Sequence, residues 1–130
     1  VILLNFAALS NLGASDIFKA LILFPVVGRT ATLIGASISN YARENGLGKS
    51  FIDFCGWREM VLGLAFCFAA FFLILRIHGL ILAAITILTS FLILKLFTRK
   101  IGGATGDILG AVCELSQTVF LVSYYIIMRN

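Results

Sequence analysis

Long apolar runs alternate with short polar clusters along this chain, and the alternation predicts helices. Residues 1–9 are apolar and read as the last turns of a helix. Ser-Asn-Leu-Gly-Ala-Ser-Asp at 10–16 has the composition of a turn. The next run, 20–42, lies between Lys19 and Arg43 and is long enough to cross a bilayer. Pro25, Gly28 and Arg29 fall in its middle, and the proline predicts a kink because it removes a ladder hydrogen bond. The longest polar segment, 43–59, places Phe51, Phe54 and Trp57 after a charged, glycine-containing stretch, as suits a piece lying along the headgroups. Runs 60–75 and 79–97 predict two further spans joined by a tight turn at Arg76-Ile77-His78. A second polar loop at 98–106 leads into a last span, 107–127, that ends before Arg129. The expected architecture is all-α: one polytopic transmembrane helical bundle over 1–130, with about four full spans and an N-terminal remnant.

Composition moves the chain out of the soluble class. It is 61% hydrophobic and 12% charged, against about 25% charged in soluble domains. The lipid bilayer is therefore its expected partner, and the net charge of +4 is no nucleic-acid signal, because the basic residues sit at helix ends. Cys55, Cys67 and Cys113 are isolated, without metal-ligand or CxxC spacing, and read as packing residues. Val1 opens on an apolar run with no n-region or cleavage site, so the expectation is a portion of a longer protein with no signal peptide here. With loops alternating sides, Arg43, Lys49, Arg58, Lys95, Arg99 and Lys100 collect on one face, and Lys19, Arg76 and Arg129 on the other. The positive-inside rule assigns the first face to the cytoplasm.

Candidate chemistry concentrates at 101–117. The turn Gly102-Gly103-Ala104-Thr105-Gly106 runs into a span that carries Asp107 and Glu114, with Gly110 between them. A spacing of seven residues puts both carboxylates on one helix face, about 10 Å apart along the axis. A charge within a span costs roughly 2.5–3.5 kcal/mol or more unless something compensates it. Two readings of the turn stay open. Glycines and a helix N-terminus can cradle phosphate with Asp107 holding Mg²⁺; alternatively, the segment is a tight interhelical turn capped by Thr105 or Asp107. Gly106 and Gly110 also fit close helix packing. Arg43, Gly46, Gly48 and Lys49 can clamp a diphosphate or serve only as a solvated loop. Arg29, at a depth similar to Glu114, is the expected partner of that acid. His78 reads as structural, and no nucleophilic triad can be assembled. Intramembrane charges also suit a small transporter or channel subunit with a charge relay; a relay needs acids spaced through the whole bilayer, whereas an enzyme needs the glycine-rich loop beside Asp107 at a membrane face.

Ala42-Arg43-Glu44-Asn45-Gly46-Leu47-Gly48 and Gly102-Gly103-Ala104-Thr105-Gly106-Asp107-Ile108-Leu109-Gly110-Ala111, followed by Glu114, resemble the C-terminal half of the cobalamin synthase (adenosylcobinamide-GDP ribazoletransferase) family. Arg29 sits where that family carries an arginine. The resemblance implies a cell-membrane enzyme of bacteria or archaea that uses Mg²⁺. It would join adenosylcobinamide-GDP to α-ribazole (or its 5′-phosphate) and release GMP, with its site on the cytoplasmic face. It also implies that Asp107 and Glu114 are metal-binding and catalytic. Substrate would be bound by Arg29, Arg43, Gly46, Gly48, Lys49, Gly102, Gly103, Thr105 and Gly106. The family's acidic Asp-Gly-Leu-Ala-Asp motif does not occur in the chain, so the expectation is that these residues alone are inactive. Oligomeric state stays open.

Overall fold

A computed structural model describes residues 1–38 and 47–130, all of it helix and short connections, with no strand among the described residues. The elements are α1 (Ile2–Ser10), α2 (Ala14–Ile38), α3 (Leu47–Phe54), α4 (Trp57–Ile101) and α5 (Gly106–Arg129). Three of them, α2, α4 and α5, are long and apolar enough to cross a membrane. The side chains of residues 47–49 and 51 lie outside the description, as do residues 39–46 altogether.

The first turn is tighter than its composition suggested. The Asn11 amide and the Ser10 hydroxyl both donate to the Ala7 carbonyl and close α1. Gly13 then accepts from the N–H groups of Asp16 and Ile17 and opens α2, so Ser15 and Asp16 are helical. An acid in the first turn suits the helix dipole, and Lys19 approaches it at 3.7 Å.

α4 is not one straight rod. At about 1.5 Å per residue, its 45 residues would stretch to roughly 68 Å, twice the thickness of a hydrocarbon core. The helix breaks at Arg76 (φ 55°, ψ −131°), at the predicted turn. Cys67, Phe71 and Leu75 join one core cluster with Leu82 and Ala83 from beyond the break. Met60 and Leu64 pack into a second with Leu94 and Phe97. Residues 57–75 and 77–101 are thus antiparallel arms, each long enough to span.

α2 and α5 complete the bundle, and they run antiparallel. Asp16 meets Tyr124, Phe24 meets Gln117, Gly28 meets Cys113, and Gly35 meets Leu109. Small residues set this approach: a β-carbon on Gly28 would stand 2.8 Å from Cys113 Sγ, and one on Gly35 would stand 2.5 Å from Leu109; Gly63 does the same for α4, where a β-carbon would stand 2.8 Å from Leu33 of α2. Two buried hydroxyls, Ser90 and Ser116, are joined at 2.7 Å between the 77–101 arm and α5. The large side chains left outside include Leu62, Phe66, Leu73, Ile77, Ile81, Leu88 and Leu96, a coat suited to acyl chains.

The bundle's ends differ in charge. The end formed by the start of α4, its last turn and the start of α5 carries Arg58, Lys95, Arg99 and Lys100. The opposite end carries Lys19, Arg76 and Arg129. For these residues this is the division that the alternation of loops anticipated; Arg43 and the side chain of Lys49 lie outside the described residues.

Candidate functional site

The predicted loop 98–106 shrinks to 102–105, because α4 continues to Ile101. Gly102 ends it in the left-handed conformation (φ 83°) and donates its N–H to the Thr98 carbonyl. Only glycine takes this conformation without cost, which explains this one glycine. Arg99 and Lys100 are therefore helical, in the last turn, where the dipole favours cations. Thr105 caps α5: its hydroxyl accepts from Ile108 N–H at 3.3 Å. Of the two readings of this turn, the cap is realised, and Thr105 is buried in that role.

The cap does not exhaust the turn. Gly106 and Asp107, the first residues of α5, are exposed, and their N–H groups precede the first helical acceptor. β-Carbons on Gly106 or Gly110 would meet nothing within 4 Å, so these two glycines do not mediate helix packing. That task falls to Gly28, Gly35, Gly63 and Gly79. Asp107, Gly110 and Glu114 form one exposed stripe on α5, as their spacing predicted.

Arg29 belongs to the same surface. Gly28 and Cys113 face each other across the α2–α5 seam, and the next residue on each helix turns about 100° away from it. Because the helices are antiparallel, both rotations go to the same side. Arg29 and Glu114 therefore flank one groove, with Gly28, Cys113 and Gln117 as its floor. Both side chains are exposed, and no ion pair within 4.0 Å joins them. The expected direct pairing is not made: the two charges stand on opposite banks. α3 covers the same side at the Asp107 end, where Ile52 packs with Ala36, Ala104 and Leu109.

Arg43 and Gly46 lie outside the described residues. Gly48 and Lys49 fall in α3, so the Gly-Leu-Gly stretch enters a helix where a tight turn was expected. Gly103 is buried behind the turn. Among the described residues, no three of His, Cys, Asp and Glu come together as a metal cluster. The three cysteines are free; Cys67 is buried as a packing residue, whereas Cys55 and Cys113 are half-buried. Cavities of about 200 Å³ and 210 Å³ lie elsewhere, one between Asn11, Asp16, Tyr125 and Arg129, the other between Ile38, Phe91, Leu94, Lys95 and Thr98. Gln117 was not singled out from sequence, although a lone primary amide one turn beyond Glu114 was a readable signal. It donates from Nε2 to the Phe24 carbonyl at 3.1 Å.

Chemically, the groove sets a cation against two carboxylates near one end of an apolar bundle. It suits an anion held by Arg29 and a metal cation held by an acid. A through-bilayer relay is not favoured, since the buried positions of α5 past Thr118 are Phe120, Leu121 and Tyr124, and Tyr124 is bonded to Asp16. Fold and site together define a multi-pass membrane protein with a charged groove at one end.

Comparison with known proteins narrows the class. The profile of the cobalamin-5-phosphate synthase family matches residues 1–125, and the chain belongs to that family. It is 54% identical over 127 residues to the adenosylcobinamide-GDP ribazoletransferase of Acetivibrio thermocellus, covering 97% of this chain and 51% of that protein. It is 46% identical over 129 residues to the ribazoletransferase of Clostridium acetobutylicum, covering 98% and 51%. The chain thus spans about half the length of these relatives. No solved structure matches it.

Proposed function

We propose that the chain supplies part of the active site of a membrane transferase that joins adenosylcobinamide-GDP to α-ribazole or its 5′-phosphate and releases GMP. The observation that carries this reading is the antiparallel register of α2 and α5, which sets Arg29 level with Glu114 across one groove, with Gly110 and Asp107 further along the same bank as Glu114. In the reaction, a ribazole hydroxyl attacks the cobinamide-side phosphorus of the diphosphate. A P–O bond to ribazole forms, the bond to the GMP oxygen breaks so that GMP departs with that electron pair, and the hydroxyl proton passes to solvent water. Such a transfer needs in-line positioning and neutralisation of the phosphate charge, with no covalent enzyme intermediate.

Arg29 binds a diphosphate oxygen, and the first-turn N–H groups of α5 offer a second anion contact. Arg43, Gly46, Gly48, Lys49, Gly102 and Gly103 extend the substrate-binding set, and Thr105 and Gly106 shape the turn. Asp107 and Glu114 are the carboxylates for magnesium. The donor set fits this ion in part: magnesium accepts one or two carboxylates and completes its shell with substrate oxygens and water. Bound there, it neutralises charge on the diphosphate. Their axial separation of about 10 Å keeps the two acids from chelating one ion unaided. The open side of the groove is therefore covered by the rest of the length seen in the relatives, which supplies further ligands, and the 130 residues alone are inactive. Exposure of Arg29 and Glu114 supports this, since charges left against acyl chains cost roughly 2.5–3.5 kcal/mol or more each. The basic end of the bundle supports a cytoplasmic site in a bacterial or archaeal cell membrane.

The test is GMP release by the full-length protein in lipid. Asp107→Asn and Glu114→Gln should each lower kcat/KM by about 10²-fold or more, as loss of a key electrostatic contact does. Full activity in both variants, or GMP release by the isolated 130 residues, would refute the assignment.

A further inference from the structure

We propose that Gln117 is a positioning residue: its amide clamps α2 at the Pro25 interruption and thereby fixes Arg29 across the groove from Glu114. The inference rests on the reading of Arg29 as a phosphate-binding group. It adds how that group is held.

α2 runs unbroken through Pro25, but its ladder lacks one bond there. Pro25 has no N–H, so the Leu21 carbonyl lacks its helical donor. The hydroxyls of Thr30 and Thr32 bond back to the carbonyls of Val26 and Gly28, both at 2.8 Å, a pattern that bends helices. Arg29 stands between these bonds. Gln117 reaches in from α5 and donates to the carbonyl of Phe24, immediately before the proline, at 3.1 Å.

Gly28 makes the reach feasible. A β-carbon there would overlap the Gln117 amide nitrogen and stand 2.8 Å from Cys113 Sγ. Gln117 lies three residues beyond Glu114 on the same helix face. The helix that carries the carboxylate therefore also grips the backbone that carries the arginine, and one short link sets the width of the groove. Thr30 and Thr32 satisfy carbonyls within α2 only. Gln117 ties α2 to another helix.

The test uses the full-length protein in lipid nanodiscs, with Cys55, Cys67 and Cys113 replaced by alanine and spin labels on Arg29→Cys and Glu114→Cys. Pulsed electron resonance should give one narrow distance distribution, and Gln117→Leu should broaden or split it. Gly28→Ala, which displaces the amide from the other side, should do the same, and the double variant should go no further than either change alone. Gly28→Ala also decides the matter should Gln117→Leu fail to fold. A distribution unchanged by either substitution overturns the inference. In the unlabelled enzyme with Arg29 and Glu114 intact, Gln117→Leu should raise KM for the diphosphate substrate about five- to tenfold, more than it lowers kcat, as expected for a lost hydrogen bond. A broadened distance with unchanged KM would keep the clamp and reject Arg29 as the phosphate ligand.

Discussion

The backbone of Gly79 lies against the carbonyl of Phe71, although a straight helix would hold these residues about 12 Å apart. The chain doubles back between them at Arg76. The obstacle to a side chain at 79 is backbone, which cannot swing aside. Gly79→Ala should therefore destabilise the protein by at least about 2 kcal/mol, in the upper range of overpacking costs. Thermal unfolding of the purified protein in detergent measures this, and an unchanged midpoint would contradict the hairpin.

Arg76 itself holds φ 55°, a conformation that costs a side-chain-bearing residue on the order of 1 kcal/mol and glycine almost nothing. Arg76→Gly should raise the unfolding midpoint or leave it unchanged. A clear fall would mean that contacts of the guanidinium outweigh the backbone cost.

Ser90 and Ser116 offer a paired comparison. Ser90 bonds both the Thr86 carbonyl and Ser116, each at 2.7 Å. Ser90→Ala strips Ser116 of this partner, whereas Ser116→Ala leaves Ser90 bonded to Thr86. With interhelical bonds in membranes worth about 0.6 kcal/mol on average, Ser90→Ala should cost roughly twice as much as Ser116→Ala. Equal losses in chemical unfolding would count against the shared bond.

Gly110 separates folding from function. Nothing lies within 4 Å of its would-be β-carbon, yet it stands between Asp107 and Glu114 in the groove. Gly110→Leu should leave the unfolding midpoint within about 2–4 °C of the parent, a shift worth no more than about 1 kcal/mol, while GMP release by the full-length enzyme falls at least tenfold. A stable variant with full activity would show that the groove does not hold substrate.

Much of this molecule was legible in one dimension. Apolar runs too long and too poor in charge for a soluble core dictated membrane helices. Periodicity alone placed Asp107, Gly110 and Glu114 on one stripe, since 3.6 residues per turn is a local property. The reversal at Arg76 was legible too, from the gap between two span-length runs. Contacts between distant segments decided the rest. Glycine composition could not say that Gly28 and Gly35 pack while Gly106 and Gly110 stand open, because that depends on which helix lies opposite. Matching depth suggested that Arg29 and Glu114 would pair, but depth is one coordinate. The α2–α5 register supplied the others and set them on facing banks of a groove, with Gln117 reaching between the two helices.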